Sequence, residues 1–188
     1  MMPVIFSTTL LRHGFAEISE GQCIGQLDVS LTNDGVDAIS DLAQNWPSPF
    51  PERIYCSDLS RTMETAQILA EHMNIGIASD PRLREINFGD WEGKSWEEIY
   101  DRDPDTMRAW GSDWINIPPP GGESVQQLHA RIADFYEETL NRPNLPQTPT
   151  LVVAHAGSLR VLACLLHRRP MEALFDLDFH HGAPVSMV

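Results

Sequence analysis

Val4-Ile5-Phe6-Ser7-Thr8-Thr9-Leu10-Leu11-Arg12-His13-Gly14 changes character at a single residue. Residues 4–11 read as a buried strand. Then come a cation, an imidazole and a residue without a side chain. In an open α/β sheet, ligands bind beyond the carboxyl ends of the strands. Arg12 offers a planar fork of donors that suits phosphate or carboxylate. His13 can act as nucleophile or proton carrier. Gly14 lets the backbone turn sharply or approach a ligand closely. Arg-His-Gly alone recurs by chance, so its weight depends on what the rest of the chain supplies.

The theme returns at Thr150-Leu151-Val152-Val153-Ala154, a second apolar strand that runs into His155-Ala156-Gly157-Ser158 and a helix over 159–167. Between the two lie alternating elements. A helix capped by Thr32 or Asn33 carries Val36, Ile39, Ala43 and Trp46 at helical spacing. Arg53–Cys56 reads as a strand. Ser57-Asp58 offers an N-cap to a helix over 59–73, with Arg61 in its first turn and off its apolar stripe. An arginine there opposes the helix dipole but complements an anion held at that end. Residues 75–78 suggest another strand, and 83–93 a structured loop. Ser95 and Glu98 form a capping box for a short helix, and another helix starts at Pro104. Residues 118–124 make a hinge or loop boundary before a helix over 123–140. A short helix over 171–177 and a last strand or hairpin in 178–188 complete the chain. The loop over 14–31 is long enough to be functional. Strands alternating with helices favour an α/β fold, a three-layer α/β/α sandwich around a mostly parallel sheet, in one domain over 1–188.

A formal net charge of −14 argues against nucleic acid and anionic membrane surfaces as partners. Any anion site must be locally basic against that field, so each of the 13 Lys and Arg residues is informative where it stands beside glycine or histidine. No window approaches the roughly 18 uninterrupted apolar residues of a membrane span, and the N-terminus lacks the features of a secretory signal. Cys23, Cys56 and Cys164 are odd in number, far apart and without a CxxC spacing, which fits packing residues in a reduced cytoplasm. A homodimer stays open.

The strand ends at Arg12-His13-Gly14 and His155-Ala156-Gly157 can converge on one sheet edge, joined by Arg61 and Glu85. With these segments together, the chain resembles the histidine phosphatase superfamily, also called phosphoglycerate mutase-like. The likeness rests on Leu11-Arg12-His13-Gly14, Gly25-Gln26-Leu27-Asp28, Ser57-Asp58-Leu59-Ser60-Arg61, Phe88-Gly89-Asp90-Trp91-Glu92-Gly93, Pro120-Gly121-Gly122-Glu123-Ser124 and Val153-Ala154-His155. Within the superfamily, these stretches look like the phosphatase branch that includes α-ribazole phosphatase, an enzyme of cobalamin nucleotide-loop assembly. The resemblance implies a phosphomonoesterase that acts on a small phosphorylated substrate, α-ribazole 5′-phosphate being preferred, without a cofactor. It implies His13 as the nucleophile that becomes phosphohistidine. Arg12, Arg61 and His155 would hold the phosphoryl oxygens, and Glu85 would protonate the leaving alkoxide and then activate water. Gln26, Ser57 and the N–H of Ala156 would be secondary phosphate contacts.

Phosphoryl transfer spreads charge over three oxygens, so catalysis is mostly positioning and cationic stabilisation. Two arginines and a donating histidine suit that need, and no metal is required. His13 needs an acceptor for its second ring nitrogen, such as a backbone carbonyl near Gly14. Glu85 must carry a proton when the leaving group departs, which calls for burial or neighbouring carboxylates such as Asp90 or Glu92. Glu92, Asp90 and Glu123 compete for the same task. His180-His181 is tempting as a metal pair, but adjacent strand residues point to opposite faces, which argues against shared ligation. Trp91, Trp96 and Trp110 could line a pocket for a ring-bearing substrate, although aromatics near a loop more often pack a core or lid.

Rival readings are a broad phosphatase of sugar or nucleotide phosphates, a phosphoglycerate mutase, a non-catalytic phospholigand module, and a metallohydrolase using His13, His155 and Glu85. The segment after Glu85 is short and acidic, unlike the basic insertion expected of a mutase. Two departures from the resembling pattern stand out. Glycine follows His155 one residue late, at Gly157. The sequence also ends soon after Val185, so the last sheet edge or part of the substrate pocket is expected to differ.

Overall fold

The computed structural model describes residues 8–18, 21–47, 49–142 and 148–187. Its first strand, β1, is Thr8–Arg12; residues 4–7 of the expected strand lie outside the described residues. The other strands are β2 (Arg53–Cys56), β3 (Ile77–Ser79), β4 (Thr150–Ala154) and β5 (Pro184–Met187). They form one sheet in the order β3-β2-β4-β1-β5. β1, β4, β2 and β3 run parallel, and β5 pairs antiparallel with β1. The expected change at the last sheet edge is therefore not a loss, because β5 supplies it.

The apolar runs in β1 and β4 have a direct cause. Leu10, Val152 and Ala154 face one core, while Leu11, Leu151 and Val153 face the other. A central strand of a parallel sheet is buried on both faces, so alternation gives no polar face. The helices α1 (Asn33–Gln44) and α2 (Ser60–Met73) cover the Leu11 side. Two further helices, α5 (Val125–Phe135) and α6 (Ala156–Leu166), cover the Leu10 side. That is the α/β/α sandwich. Between these layers in sequence, α3 (Trp96–Arg102) and α4 (Pro104–Ser112) pack a small aromatic cluster with Cys23 and Trp91 beside the strand ends.

Helix starts differ from the sequence expectation where a tertiary partner takes the cap. Thr32 caps α1 and the Ser95–Glu98 box caps α3, as expected. Asp58, expected to cap α2, pairs with Arg84 at 2.6 Å instead. Asp28 reaches across from the long loop, and its Oδ1 accepts the Ser60 N–H at 2.7 Å. Val36 is exposed, and Gly35 takes its place on the buried face of α1, where any side chain would collide with the carbonyl of Phe15. Helix α5 ends at Phe135, and its last expected turn is a wider π-turn over Tyr136–Leu140. Cys23, Cys56 and Cys164 are buried and free; burial pushes the Cys23 and Cys56 thiols up to about 12. Among the described residues, no helix is long and apolar enough to cross a membrane.

Candidate active site

Parallel pairing sets β1 beside β4 with Arg12 opposite Ala154, so the next residues, His13 and His155, leave the sheet side by side. The His13 N–H extends the ladder to the Ala154 carbonyl at 3.1 Å. The two imidazoles lie edge to face with centroids 5.2 Å apart. His13 Nδ1 lies 2.7 Å from the Gly14 carbonyl, which can only accept, so Nδ1 carries the proton and Nε2 keeps its lone pair. Burial, reinforced by the cations Arg61 and Arg12, holds His13 well below the usual histidine range, so the ring is neutral.

Arg61 is 2% exposed, contrary to the expectation that it stands off the buried face of its helix. Its head group is anchored from the long loop. Nη1 donates to the Leu27 carbonyl at 2.7 Å and Nη2 to the Gly25 carbonyl at 2.8 Å. Its Nε donates to His155 Nδ1 at 3.2 Å. That leaves the proton of His155 on Nε2, 3.0 Å from Ser57 Oγ. Burial first, then neighbouring His13 and Arg61, depresses His155 as well, and it too is neutral. Arg12 donates through Nη1 to the Phe179 carbonyl at 3.1 Å. Its Nε is buried with no acceptor among the described residues. Burial lowers both guanidinium groups from their ordinary value, and Glu85 is the first group acting in the opposite sense; both stay cations.

Glu85 comes from the loop before α3 and reaches the first turn of α6. Oε2 accepts the Gly157 N–H at 3.1 Å and Oε1 accepts the Ile86 N–H at 2.9 Å. A side chain at residue 157 would overlap Oε1, which accounts for the late glycine. The rival carboxylates are otherwise engaged. Glu92 Oε1 accepts the N–H groups of Gln26 and Phe88, Glu123 pairs with Arg131, and Asp90 sits against Gly121.

Arg12, His13, Arg61, Glu85 and His155 line one polar cleft of about 620 Å³, together with His181. Three expected phosphate contacts are not among the residues lining it. Ser57 is fully buried behind His155, and its Oγ holds the ring in place. Gln26 donates its side-chain amide to the Glu85 carbonyl at 2.9 Å and so braces that loop. Ala156 lines a second, apolar cleft of about 250 Å³ with Phe88, Trp96, Trp110 and Trp114. Glu85 and Trp96 belong to both walls. Trp91, by contrast, is buried in the small aromatic core. His180 and His181 part as strand alternation predicts: the His181 ring lies 4.9 Å from that of His13, and His180 is largely exposed.

An α/β fold that brings a buried arginine, a half-buried arginine and neutral imidazoles to one strand-end cleft defines a class of protein that handles phosphoryl groups without needing the field of the whole molecule. The chain belongs to the histidine phosphatase superfamily (branch 1), whose family model matches residues 8–188. It is a phosphatase-type enzyme of that family. It is 33% identical over 158 residues to phosphoserine phosphatase 1 of Hydrogenobacter thermophilus, covering 84% of this chain and 74% of that one. It is 27% identical over 174 residues to the adenosylcobalamin/alpha-ribazole phosphatase of Escherichia coli, covering 92% and 85%. Among solved structures, the alpha-ribazole phosphatase of Shigella flexneri superposes with a TM-score of 0.86 at 25% identity, covering 96% of this chain and 89% of that one.

Proposed function

We propose that this chain hydrolyses the phosphate monoester of a ring-bearing alcohol through a phosphohistidine, with α-ribazole 5′-phosphate as the favoured substrate. The observation that carries this reading is the place of Glu85, in the shared wall between the cationic cleft of His13 and the apolar cleft of Trp110. A general acid belongs where the transferred group ends and the leaving group begins.

In the first step His13 Nε2 attacks phosphorus. The N–P bond forms as the ester P–O bond breaks, and the departing oxygen takes its electron pair and a proton from Glu85. Arg12 and Arg61 bear the charge on the equatorial oxygens, and the unpaired Nε of Arg12 gains an acceptor. In the second step Glu85 takes a proton from water, whose oxygen attacks phosphorus, and the N–P pair returns to Nε2. The Nδ1–H bond to Gly14 holds the ring in the reactive tautomer throughout.

The apolar cleft supports the choice of leaving group. Phe88, Trp96, Trp110 and Trp114 offer ring faces, and Trp110 Nε1 is a buried donor with no acceptor among the described residues. A planar heterocycle carrying an acceptor satisfies both. The ammonium and carboxylate of phosphoserine, or the carboxylate of a phosphoglycerate, would have to be desolvated here. The charged side chain available besides Glu85, Arg160, is spent on the Leu177 carbonyl and Asp178.

The test is a substrate panel of α-ribazole phosphate, p-nitrophenyl phosphate, phosphoserine, 3-phosphoglycerate and a sugar phosphate, with acid-quench trapping of labelled enzyme. Expected are the highest kcat/KM on the ring-bearing esters and an acid-labile, base-stable phosphoprotein that His13→Ala abolishes. Preference for phosphoserine would overturn the substrate, and a fully active His13→Ala variant the mechanism.

A further inference from the structure

His181 is the one histidine of the cleft that the phosphatase reading leaves without a task. Its Nδ1 lies 3.0 Å from the carbonyl of His13. That carbonyl can only accept, so the proton sits on Nδ1, and Nε2 carries a lone pair with no donor among the described residues. The ring is held on three sides. It lies edge-on to His13 at 4.9 Å, packs on Phe15 at 5.1 Å, and the next residue, Gly182, ties the segment to β1 by donating its N–H to the Arg12 carbonyl at 3.0 Å. It lines the cleft with Arg12 and Arg61.

Two bare imidazole nitrogens therefore stand at one anion site. One, on His13, is consumed by attack on phosphorus. The other confronts the oxygens of a phosphate dianion, acceptor against acceptor, unless a proton lies between them. We propose that His181 is a proton-linked ligand of the phosphoryl group, binding it only with one proton shared between Nε2 and a phosphoryl oxygen. This rests on the reading of the cleft as a phosphatase site.

Every group facing His181 fits that proton balance. From the end of β1 and just beyond it come Arg12 and neutral His13, from α2 Arg61, and beyond β4 neutral His155. The cations, together with burial, keep His181 below the usual histidine range in the empty cleft. Glu85 is the opposing charge across the same cleft. A phosphate monoester holds its own last proton with a pKa of about 6. Above that both partners arrive bare, so the complex must take up one proton from solvent. Binding then weakens about tenfold per pH unit on the alkaline side, since one proton is required for association.

The experiment is titration of the full chain with inorganic phosphate at pH 8, in buffers of differing ionisation enthalpy, to count protons taken up on binding. Wild type should take up about one. His181→Gln places a permanent amide donor near the same point and should bind with uptake near zero, with an alkaline limb of kcat/KM correspondingly flattened. His181→Phe should weaken phosphate binding at pH 6, where the shared proton is available, and the wild-type advantage should vanish as pH rises. Equal proton uptake by wild type and His181→Gln would overturn the proposal while leaving the phosphatase reading intact. Failure of wild type to bind phosphate, or to hydrolyse any ester of the panel, would sink both. If His181→Gln does not fold, ¹⁵N-histidine spectra of wild type decide the matter: His181 should pass from the neutral Nδ1–H form to the doubly protonated pattern on adding phosphate at pH 7, and an unchanged tautomer would refute the role.

Discussion

Gly157 fixes how closely Glu85 can approach the start of α6. A methyl group there meets the tip of a flexible carboxylate rather than backbone, so the carboxylate gives way and the helix does not. Gly157→Ala should leave the thermal midpoint within a few degrees of wild type, since alanine is the better helix former by about 1 kcal/mol. It should lower kcat by about 10²-fold or more with little change in KM, because a displaced acid forfeits its contribution of roughly 10²–10⁴. Unchanged steady-state kinetics would show that Glu85 is not the proton donor. At this scale, Arg12, His13, Arg61, Glu85 and His155 were legible because each is a reactive type set at a strand end, a helix start or a glycine-rich loop. His181 was not. Strand alternation correctly separates it from His180, but that rule speaks against a shared metal and says nothing of what one ring does alone. Ser57 and Gln26 were legible as polar neighbours of the site, while their place behind His155 and Glu85 depends on loop packing that no local pattern encodes.

The segment Gly25-Gln26-Leu27-Asp28 acts as a clasp on the start of α2. Two of its carbonyls hold the Arg61 head group, and Asp28 accepts from both the N–H and the hydroxyl of Ser60. Asp28→Ala should cost about 1 kcal/mol of stability, the usual worth of a lost N-cap. It should also raise KM for phosphate esters, because the arginine and the cap share one turn. Urea unfolding and steady-state kinetics on one preparation would check both, and a stability loss with KM unmoved would separate cap from clasp. Helix interiors were readable from spacing; their starts were less so. Asp58 has the right side chain for a cap and spends it on Arg84, a partner 26 residues away. Local propensity proposes such a residue, and tertiary pairing reassigns it.

For the molecule as a whole, the buried imidazoles set the response to acid. His13 and His155 have folded values well below the ordinary 6.5, so both are neutral in the fold and titrate near 6.5 once unfolded. Their contribution is complete above pH 6.5. As pH falls below that, the unfolded chain binds protons the fold refuses, and stability drops by about 1.4 kcal/mol per pH unit for each ring. Urea midpoints measured between pH 7 and 5 should fall accordingly, and His155→Gln should reduce the slope by one proton; a flat profile would contradict the burial of these rings. The three-layer architecture was legible because β1 and β4 are apolar at successive positions, which a strand exposed on one face is not. The order of strands was not, since pairing between Thr8 and both Thr150 and Met187 leaves no local trace. That pairing has a kinetic consequence. The strand that leads into His13 waits, unpaired on either side, for two partners from the far end of the chain. Contacts of such long range are slow to close, so during refolding the hydrolytic activity should return only with the last cooperative phase, after helix signals have largely recovered.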